Sequence, residues 1–306
     1  MFSLSTCWFD GHRKDGNAMV DEALEMGFTA LELGYAATAA DAEAVIARSG
    51  RGDIAVTSVH AFCPAPPDRP GHPELYSPSD SEEAARREAV AKVLETLELA
   101  RRAGAGAVVL HAGRIKAAAG KWMWVHDRIV SDAADGFWYR FNLGRMVKAR
   151  EAGIAAAMES LRRSLAELLP AFESAGVRLA IENLPSYDAM PSPDEADILV
   201  DEFGSSPAFS LWYDMGHGQV MENAGYGSGA GYARKHFRHL AGTHIHDVIG
   251  PAGDHQAPGQ GGIDFAAFKF LAELPCRVFE PLSTVPRAEL AASREMLAHL
   301  WGNEAK

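Results

Sequence analysis

Six short apolar segments of this chain end on a side chain that can bind a metal or move a proton. They are His60 in IAVTSVH, His111 in AVVLH, Glu182 in VRLAIE, Asp214 in AFSLWYD, His244 and His246 in GTHIHD, and Glu280 in RVFEP. Imidazoles and carboxylates together suit Zn²⁺, Mn²⁺, Co²⁺ or Fe²⁺, with Mg²⁺ also open. A divalent metal is therefore the expected cofactor. Taken singly, each side chain is a commonplace salt-bridge partner. The chemistry is carried by their recurrence at the same place in successive segments.

These segments read as strands. The expected strands are 2–7, 29–34, 54–60, 107–111, 177–182, 208–214, 242–247 and 277–281. A helix is expected after each, at 16–26, 38–48, 81–103, 152–175, 193–203, 232–240, 264–273 and 286–300. This alternation predicts an α/β fold: one domain over 1–306, built as a (β/α)8 TIM barrel or as a large doubly wound sheet. In a parallel barrel the strand C-termini converge on one mouth, where active sites of that fold sit. Glycines close three helices before the next strand, at Gly27, Gly104 and Gly176, because glycine tolerates the left-handed stop. Capping-box spacing occurs at Ser79–Glu82 and at Ser192–Glu195, the latter with Pro193 at the first helical position.

Two connections are long. Residues 61–80 are proline-rich, and residues 112–150 form an insertion after strand four. The insertion holds Trp122, Trp124, Phe137, Trp138, Tyr139 and Phe141. It also holds Arg114, Lys116, Lys121, Arg128, Arg140, Arg145, Lys148 and Arg150 against Asp127, Asp132 and Asp135. We expect an insertion loop over the barrel mouth, with a subunit contact as the alternative. Self-association is left open.

The formal charge of −12 argues against nucleic acid as the main partner, since phosphate backbones attract basic surfaces. A small anionic ligand is still compatible, because a local basic patch can oppose the global sign. No apolar run approaches the roughly 20 residues of a membrane span. The N-terminus MFSLSTCWFDGH has no signal-peptide pattern. Cys7, Cys63 and Cys276 are sparse and unpaired in spacing, which reads as free thiols in a reducing cytoplasm.

The motifs SVHAF (58–62), VLHAG (109–113), AIEN (180–183), YDMGHG (213–218), HIHD (244–247), DHQAPGQGGIDF (254–265) and FEP (279–281) are similar to those of the xylose isomerase-like barrel superfamily. That group contains sugar isomerases and epimerases and DNA-repair enzymes of the endonuclease IV type. The resemblance runs from LELG (31–34) to the last strand. In family epimerases one metal is held by a Glu, Asp, His, Glu quartet, which the resemblance places at Glu182, Asp214, a strand-seven histidine and Glu280. The endonuclease-type motif favours His244 as the histidine, the epimerase-type motif His246. Further metals of the endonuclease group use histidines that match His60, His111, His217 and His255. An aspartate of that group, two places before His255, is Gly253 here, with Asp254 one place off. The departure leaves a complete three-metal set unsupported.

The resemblance implies isomerisation or epimerisation of a sugar or sugar derivative by proton abstraction next to a carbonyl. Glu182 and Glu280 would be both ligands and acid/base groups, and His255 would join the metal ligands. His217, His60, His111, Trp212 and Arg140 would contact substrate. Trp8 and Phe62 are further candidates for an apolar wall. The basic insertion suits a sugar acid or phosphate better than a neutral sugar. The competing readings are a phosphodiesterase of the endonuclease IV type and a lyase or hydrolase acting on a keto-sugar.

Overall fold

Along the strands, small or branched side chains alternate between two cores. Ala107, Val109, Ala180, Trp212, Ala241, Cys276 and Val278 form an inner cluster. Their neighbours Val108, Leu110, Leu179, Ile181 and Leu211 belong to the larger core shared with the helices. Strands buried on both faces are what a parallel sheet jacketed by helices requires. The structure, a computed structural model, describes residues 1–12, 15–131 and 135–302; Asp132 of the insertion lies outside them.

The eight barrel strands are β1 (Ser3–Ser5), β2 (Ala30–Leu33), β3 (Ala55–His60), β4 (Ala107–Leu110), β5 (Arg178–Glu182), β6 (Phe209–Asp214), β7 (Leu240–Ile245) and β8 (Cys276–Phe279). Each pairs in parallel with its sequence neighbours, and β1 closes on β8 through Ser3 opposite Val278 and Leu4 opposite Phe279. The expected (β/α)8 barrel is therefore the fold. Trp212 is the one bulky ring of the inner cluster, and a methyl group at Gly242 would collide with it. The glycine on β7 thus makes room for the tryptophan on β6. Two short antiparallel ladders ride on the mouth, Gly113–Arg114 with Ala189–Met190 and Asp247–Ile249 with Gly253–Gln256.

The helices are α1 (Gly16–Glu25), α2 (Ala39–Gly50), α3 (Glu83–Ala103), α4 (Lys116–Val130), α5 (Gly136–Ala175), α6 (Pro193–Phe203), α7 (Met215–Asn223), α8 (Gly229–His236) and α9 (Arg287–Trp301). Gly27, Gly104 and Gly176 have φ of 82°, 70° and 66°, the left-handed geometry expected of helix stops. The Ser192 capping box forms in full. The Ser79 box does not. α3 begins after Glu82 without a side-chain cap, and the Ser79 backbone N–H instead donates to Ala112 O, tying the β3 connection to the exit of β4.

Three further expectations are corrected. Residues 112–150 are not a loop but a helical hairpin, α4 followed by the first half of α5. The buried residues Ile115, Ala118, Trp122 and Val125 recur every three or four positions, the period of a helix with one covered face. Residues 264–273 are not an α-helix. Phe265, Phe268, Leu271 and Leu274 are buried at intervals of three and linked by i→i+3 backbone hydrogen bonds, so the segment tightens into 3₁₀ turns. The helix placed at 232–240 begins earlier as α8 and ends in a 3₁₀ turn over Phe237–His239, while α7 was not anticipated at all.

All three cysteines are free thiols. Among the described residues, no helix is long and apolar enough to cross a membrane.

Arg150, buried in α5, fastens the hairpin to the mouth. Its guanidinium donates to both Glu195 oxygens (2.6 and 2.9 Å), to Tyr187 O (2.6 Å) and to Ala189 O (3.0 Å). Removing one member of a buried pair strands the other charge, which costs about 3–5 kcal/mol. Arg150→Met should therefore lower the unfolding free energy by about 3 kcal/mol in chemical denaturation. A loss below about 1 kcal/mol, the scale of an exposed pair, would show that the contact does not anchor the hairpin.

Candidate metal centre at the barrel mouth

The strand ends meet. Glu182, Asp214, His244 and Glu280 bring one donor atom each within 4.8 Å of one another, and so do His60, His111 and Glu182. Glu182 belongs to both groups and is fully buried. A third group within the same limit is His217, His246 and His255. His60 ends β3, Glu182 ends β5 and Asp214 ends β6; His111, His246 and Glu280 each lie one residue beyond β4, β7 and β8.

Hydrogen bonds fix which ring nitrogens are available. His60 Nδ1 is bonded to Ala61 O (2.8 Å), His217 Nδ1 to Asn183 O (3.0 Å) and His255 Nδ1 to Glu280 O (2.7 Å). A carbonyl can only accept, so in each ring Nδ1 carries the proton and Nε2 keeps its lone pair. His60 Nε2 lies 3.3 Å from Glu182 Oε2, and His111 Nε2 lies 3.0 Å from the same oxygen, without hydrogen-bond geometry to it. The lone pair on His60 Nε2, set against that buried carboxylate oxygen, marks a place for a cation.

The two strand-seven histidines differ. His246 Nδ1 accepts the backbone N–H of His255 (2.8 Å), so its Nε2 carries the proton and donates to Asp214 at 3.0 Å. Both nitrogens are thereby committed. The ring sits against α7, where a methyl group at Gly216 would overlap it, and stacks on His255 with centroids 4.0 Å apart. His244 instead directs Nδ1 at Glu182 Oε1 (2.8 Å), Glu280 Oε2 (3.2 Å) and Asp214 Oδ2 (3.6 Å). Its Nε2 is bonded to Glu32 Oε1 at 3.1 Å. The geometry thus favours His244 over His246 as a ligand.

Charge is divided unevenly. Burial raises every carboxyl here, but His244, His111 and His60 overcome it at Glu182 and hold that carboxyl well below the usual range. At Glu280 burial prevails over the attraction of His244, and Glu32, Glu182 and Asp214 push the same way, so it lies well above the usual range. Asp214 is raised too, chiefly by burial. Burial lowers His217 and His246 to about 4. His111, despite its burial, is raised to about 9 by Glu182 and Glu74. His244, opposed by the same burial, is driven well above the ordinary imidazole value by Glu280, Glu32 and Glu182.

Several contributors escaped the sequence reading. Glu32, from the LELG motif, is fully buried at the end of β2, accepts from the Ser58 hydroxyl (2.8 Å) and holds His244. Asn183 grips the Asp214 backbone with both side-chain atoms, accepting from its N–H (2.8 Å) and donating to its C=O (3.1 Å). Asp247 gathers the N–H groups of Val248, Gly259, Gly261 and Ile263, shaping the connection beyond His255. Tyr35 stands edge-on to His60, with centroids 5.3 Å apart. The signal for Glu32 and Asn183 lay in a polar residue within or just after an apolar run.

Some candidates lie elsewhere. Trp212 is in the inner core, edge-on to His244 at 5.1 Å, and so floors the site instead of walling it. Trp8 is buried and donates to Val285 O (3.0 Å), while Phe62 is buried edge-on to Tyr76 at 4.9 Å. Arg140 is exposed on α5, with no ion pair to the cluster among the described residues.

A closed parallel barrel with His and carboxylate donors gathered at its mouth defines a class, and residues 20–276 match the family described as the xylose isomerase-like TIM barrel. The chain belongs to that family. Among solved structures it is similar to a D-tagatose 3-epimerase-like protein, at 16% identity and TM-score 0.71, covering 99% of this chain and 97% of that one. It is similar to the 3-keto-D-glucoside 4-epimerase of E. coli, at 14% identity and TM-score 0.67, covering 97% and 98%. It is also similar to the IolI protein with a binding zinc atom, at 14% identity and TM-score 0.68, covering 100% and 99%. At these identities the likeness is one of fold. An uncharacterized protein of Methanocaldococcus jannaschii is 31% identical over 113 residues, spanning 37% of this chain and 41% of that protein.

Glu32 is expected to tune the centre through His244, since a partner on the far nitrogen of a ligating histidine is typically worth about 10–100-fold in metal affinity. Glu32→Gln should weaken Zn²⁺ binding to metal-stripped protein by about that factor in competition with a chelator. Unchanged affinity would remove Glu32 from this role.

Proposed function

We propose that this chain is a divalent-metal-dependent isomerase or epimerase of a sugar or sugar derivative, acting by proton abstraction next to a carbonyl. The observation that carries the reading is the cluster of Glu182, Asp214, His244 and Glu280 at the strand ends, with one donor atom each within 4.8 Å of one another. Within it Glu182 and Glu280 both face His244 Nδ1, at 2.8 and 3.2 Å, and in the metal-free protein the first carboxyl is held low and the second pushed high. Carboxyls whose environments drive them apart in this way are suited to be a base and an acid. The 3-keto-D-glucoside 4-epimerase and the D-tagatose 3-epimerase-like protein among the similar solved structures support the same class.

The donor set fits a metal. Glu182, Asp214 and Glu280 each supply a carboxyl oxygen and His244 supplies Nδ1, an N/O set that suits Zn²⁺, Mn²⁺, Co²⁺ or Fe²⁺. When bound, a divalent ion supplies Lewis acidity for the substrate's carbonyl and adjacent hydroxyl oxygens. In the proposed reaction Glu182 accepts the proton from the carbon beside the carbonyl, and the C–H electron pair moves into an enediol-type intermediate. Glu280 delivers a proton to the opposite face, inverting that carbon; delivered instead to the neighbouring carbon, with the hydroxyl proton passing to the former carbonyl oxygen, it moves the carbonyl. Exchange with solvent then returns the two carboxyl groups to their starting states. His217 Nε2, with its lone pair free, can accept from a substrate hydroxyl, and so can His255 Nε2.

A second reading has its own observation. The Nε2 atoms of His60 and His111 beside Glu182 form a further donor group, as a phosphodiesterase of the endonuclease IV type would use. Against it stand the charge of −12 and Gly253 in place of an aspartate.

The test is incubation of metal-loaded protein in D₂O with a ketose panel, and in parallel with abasic-site DNA. One deuterium incorporated beside the carbonyl, with DNA left intact, supports the isomerase reading. DNA cleavage without exchange would establish the other. Glu280→Gln should bind metal but lose at least about 100-fold in kcat, within the range typical of general acid–base catalysis. Asp214→Ala should lose metal retention, measured by elemental analysis, while keeping the circular dichroism of the folded barrel. Full metal occupancy in that variant would refute the assigned ligand set.

A further inference from the structure

The α4–α5 hairpin has one covered face and one bare face. Ile115, Ala118, Trp122 and Val125 are buried on the protein. On the other side Phe137 and Trp138 are 71% and 69% exposed, and Phe141 is 48% exposed. Their rings touch one another, with centroids 5.4 to 6.2 Å apart. Met123 and Val130, two turns apart on α4, are also exposed. The three touching rings form an exposed aromatic patch, a feature that marks an interaction surface.

The patch is basic as well as aromatic. Arg145 lies over the Phe141 ring at 5.9 Å, and Arg140 is exposed three residues after Phe137. Of the eight basic side chains in residues 112–150, Arg114, Lys116 and Arg150 pair with Glu74, Asp80 and Glu195 at the base of the arm, while Arg140 and Arg145 stand beside the exposed rings. An occupant complementary to this arm is therefore a surface that is acidic with an apolar centre.

The same molecule presents one. On α6, Ile198 is 42% exposed, and Asp194, Asp201 and Glu202 are exposed at positions −4, +3 and +4 from it, which puts all four on one helix face. Glu202 is paired with Arg162 at 2.6 Å; Asp194 and Asp201 flank Ile198 on either side. Arg150 fixes the base of the arm to Glu195 near the start of α6. From there α5 runs back 14 residues to Gly136, about 21 Å at 1.5 Å per residue. In a two-fold, self-complementary contact the arm of each copy can meet the acidic face of the other. Two basic arms placed tip to tip would instead repel.

We propose that the protein forms a symmetric dimer in which the Phe137–Trp138–Phe141 arm of each copy docks on the acidic α6 face of the other. The apolar rings supply the buried area, and Arg140 and Arg145 against Asp194 and Asp201 supply register.

Light scattering coupled to size exclusion, at low and high salt and over a range of concentrations, tests this. The full chain should run at twice its 32.9 kDa mass. Phe137→Ser/Trp138→Ser should run as the monomer, with circular dichroism unchanged because both side chains are exposed. Arg140→Glu/Arg145→Glu should also be monomeric, and combining it with Asp194→Lys/Asp201→Lys should restore the dimer. A wild-type chain that is monomeric at every concentration overturns the proposal. So does a dimer that survives both arm variants, or a charge swap that fails to restore a dimer while all variants stay folded. Co-sedimentation of a monomeric wild-type chain with phosphatidylserine vesicles, lost in the aromatic variant, would assign the arm to a membrane surface instead.

Discussion

Four carboxyl groups, Glu32, Glu182, Asp214 and Glu280, lie at one barrel mouth, at most 6% exposed. Like charges so placed cannot all ionise without partners, since burial strips them of water and removes most of the screening between them. Imidazoles give part of the answer. His244 sits among all four, and His60 and His111 lie against Glu182. Protonation gives the rest, with Glu182 kept ionised and Glu280 and Asp214 driven towards their acid forms. The difference between two chemically similar groups follows from how many cationic partners each meets.

That concentration of charge has to be held still. The strands themselves are short, three to six residues, and end where the donors begin. The positioning falls to the connections. Asn183 clamps the Asp214 backbone, while an Asp214 side-chain oxygen accepts the N–H of His217 (2.7 Å) and so caps α7. One carboxylate therefore shapes the helix that carries His217 while facing the cluster. Asp247 does comparable work for the segment after His255, through four backbone N–H groups. The absence of a side chain at Gly216 lets His246 lie against α7, and His246 in turn hydrogen-bonds Asp214. Loss of one such bond shifts more than one donor, because the supports are shared.

The hairpin after β4 is built on a different principle. Its covered face follows the helical period and is anchored by the buried Arg150–Glu195 pair. Its bare face is aromatic and cationic, set against a strongly anionic remainder. A charge distribution so lopsided acts over a range set by the Debye length, roughly 8 Å at physiological salt.

The barrel and most of its donors were determined by local patterning. Apolar runs ending in His60, His111, Glu182, Asp214, His244 and Glu280 were legible because a side chain's place in a βα unit is set by strand period and helix stops such as Gly104 and Gly176. The hairpin is helical instead of a loop because Ile115, Ala118, Trp122 and Val125 recur at helical spacing beneath its charged and aromatic surface. The 264–273 segment forms 3₁₀ turns where a helix was expected because a period of three is close to 3.6 over ten residues. Other features could not be read from the chain at all. His244 and His246 are two residues apart and equivalent in sequence. Only the closing of the barrel brings Glu32 from β2 across to His244, 212 positions away, and sets the His255 N–H and Asp214 on the two nitrogens of His246. Which nitrogen is free, and which carboxyl keeps its proton, depends on distances of about 3 Å between groups far apart in the chain, and those distances exist only once the eight strands have closed.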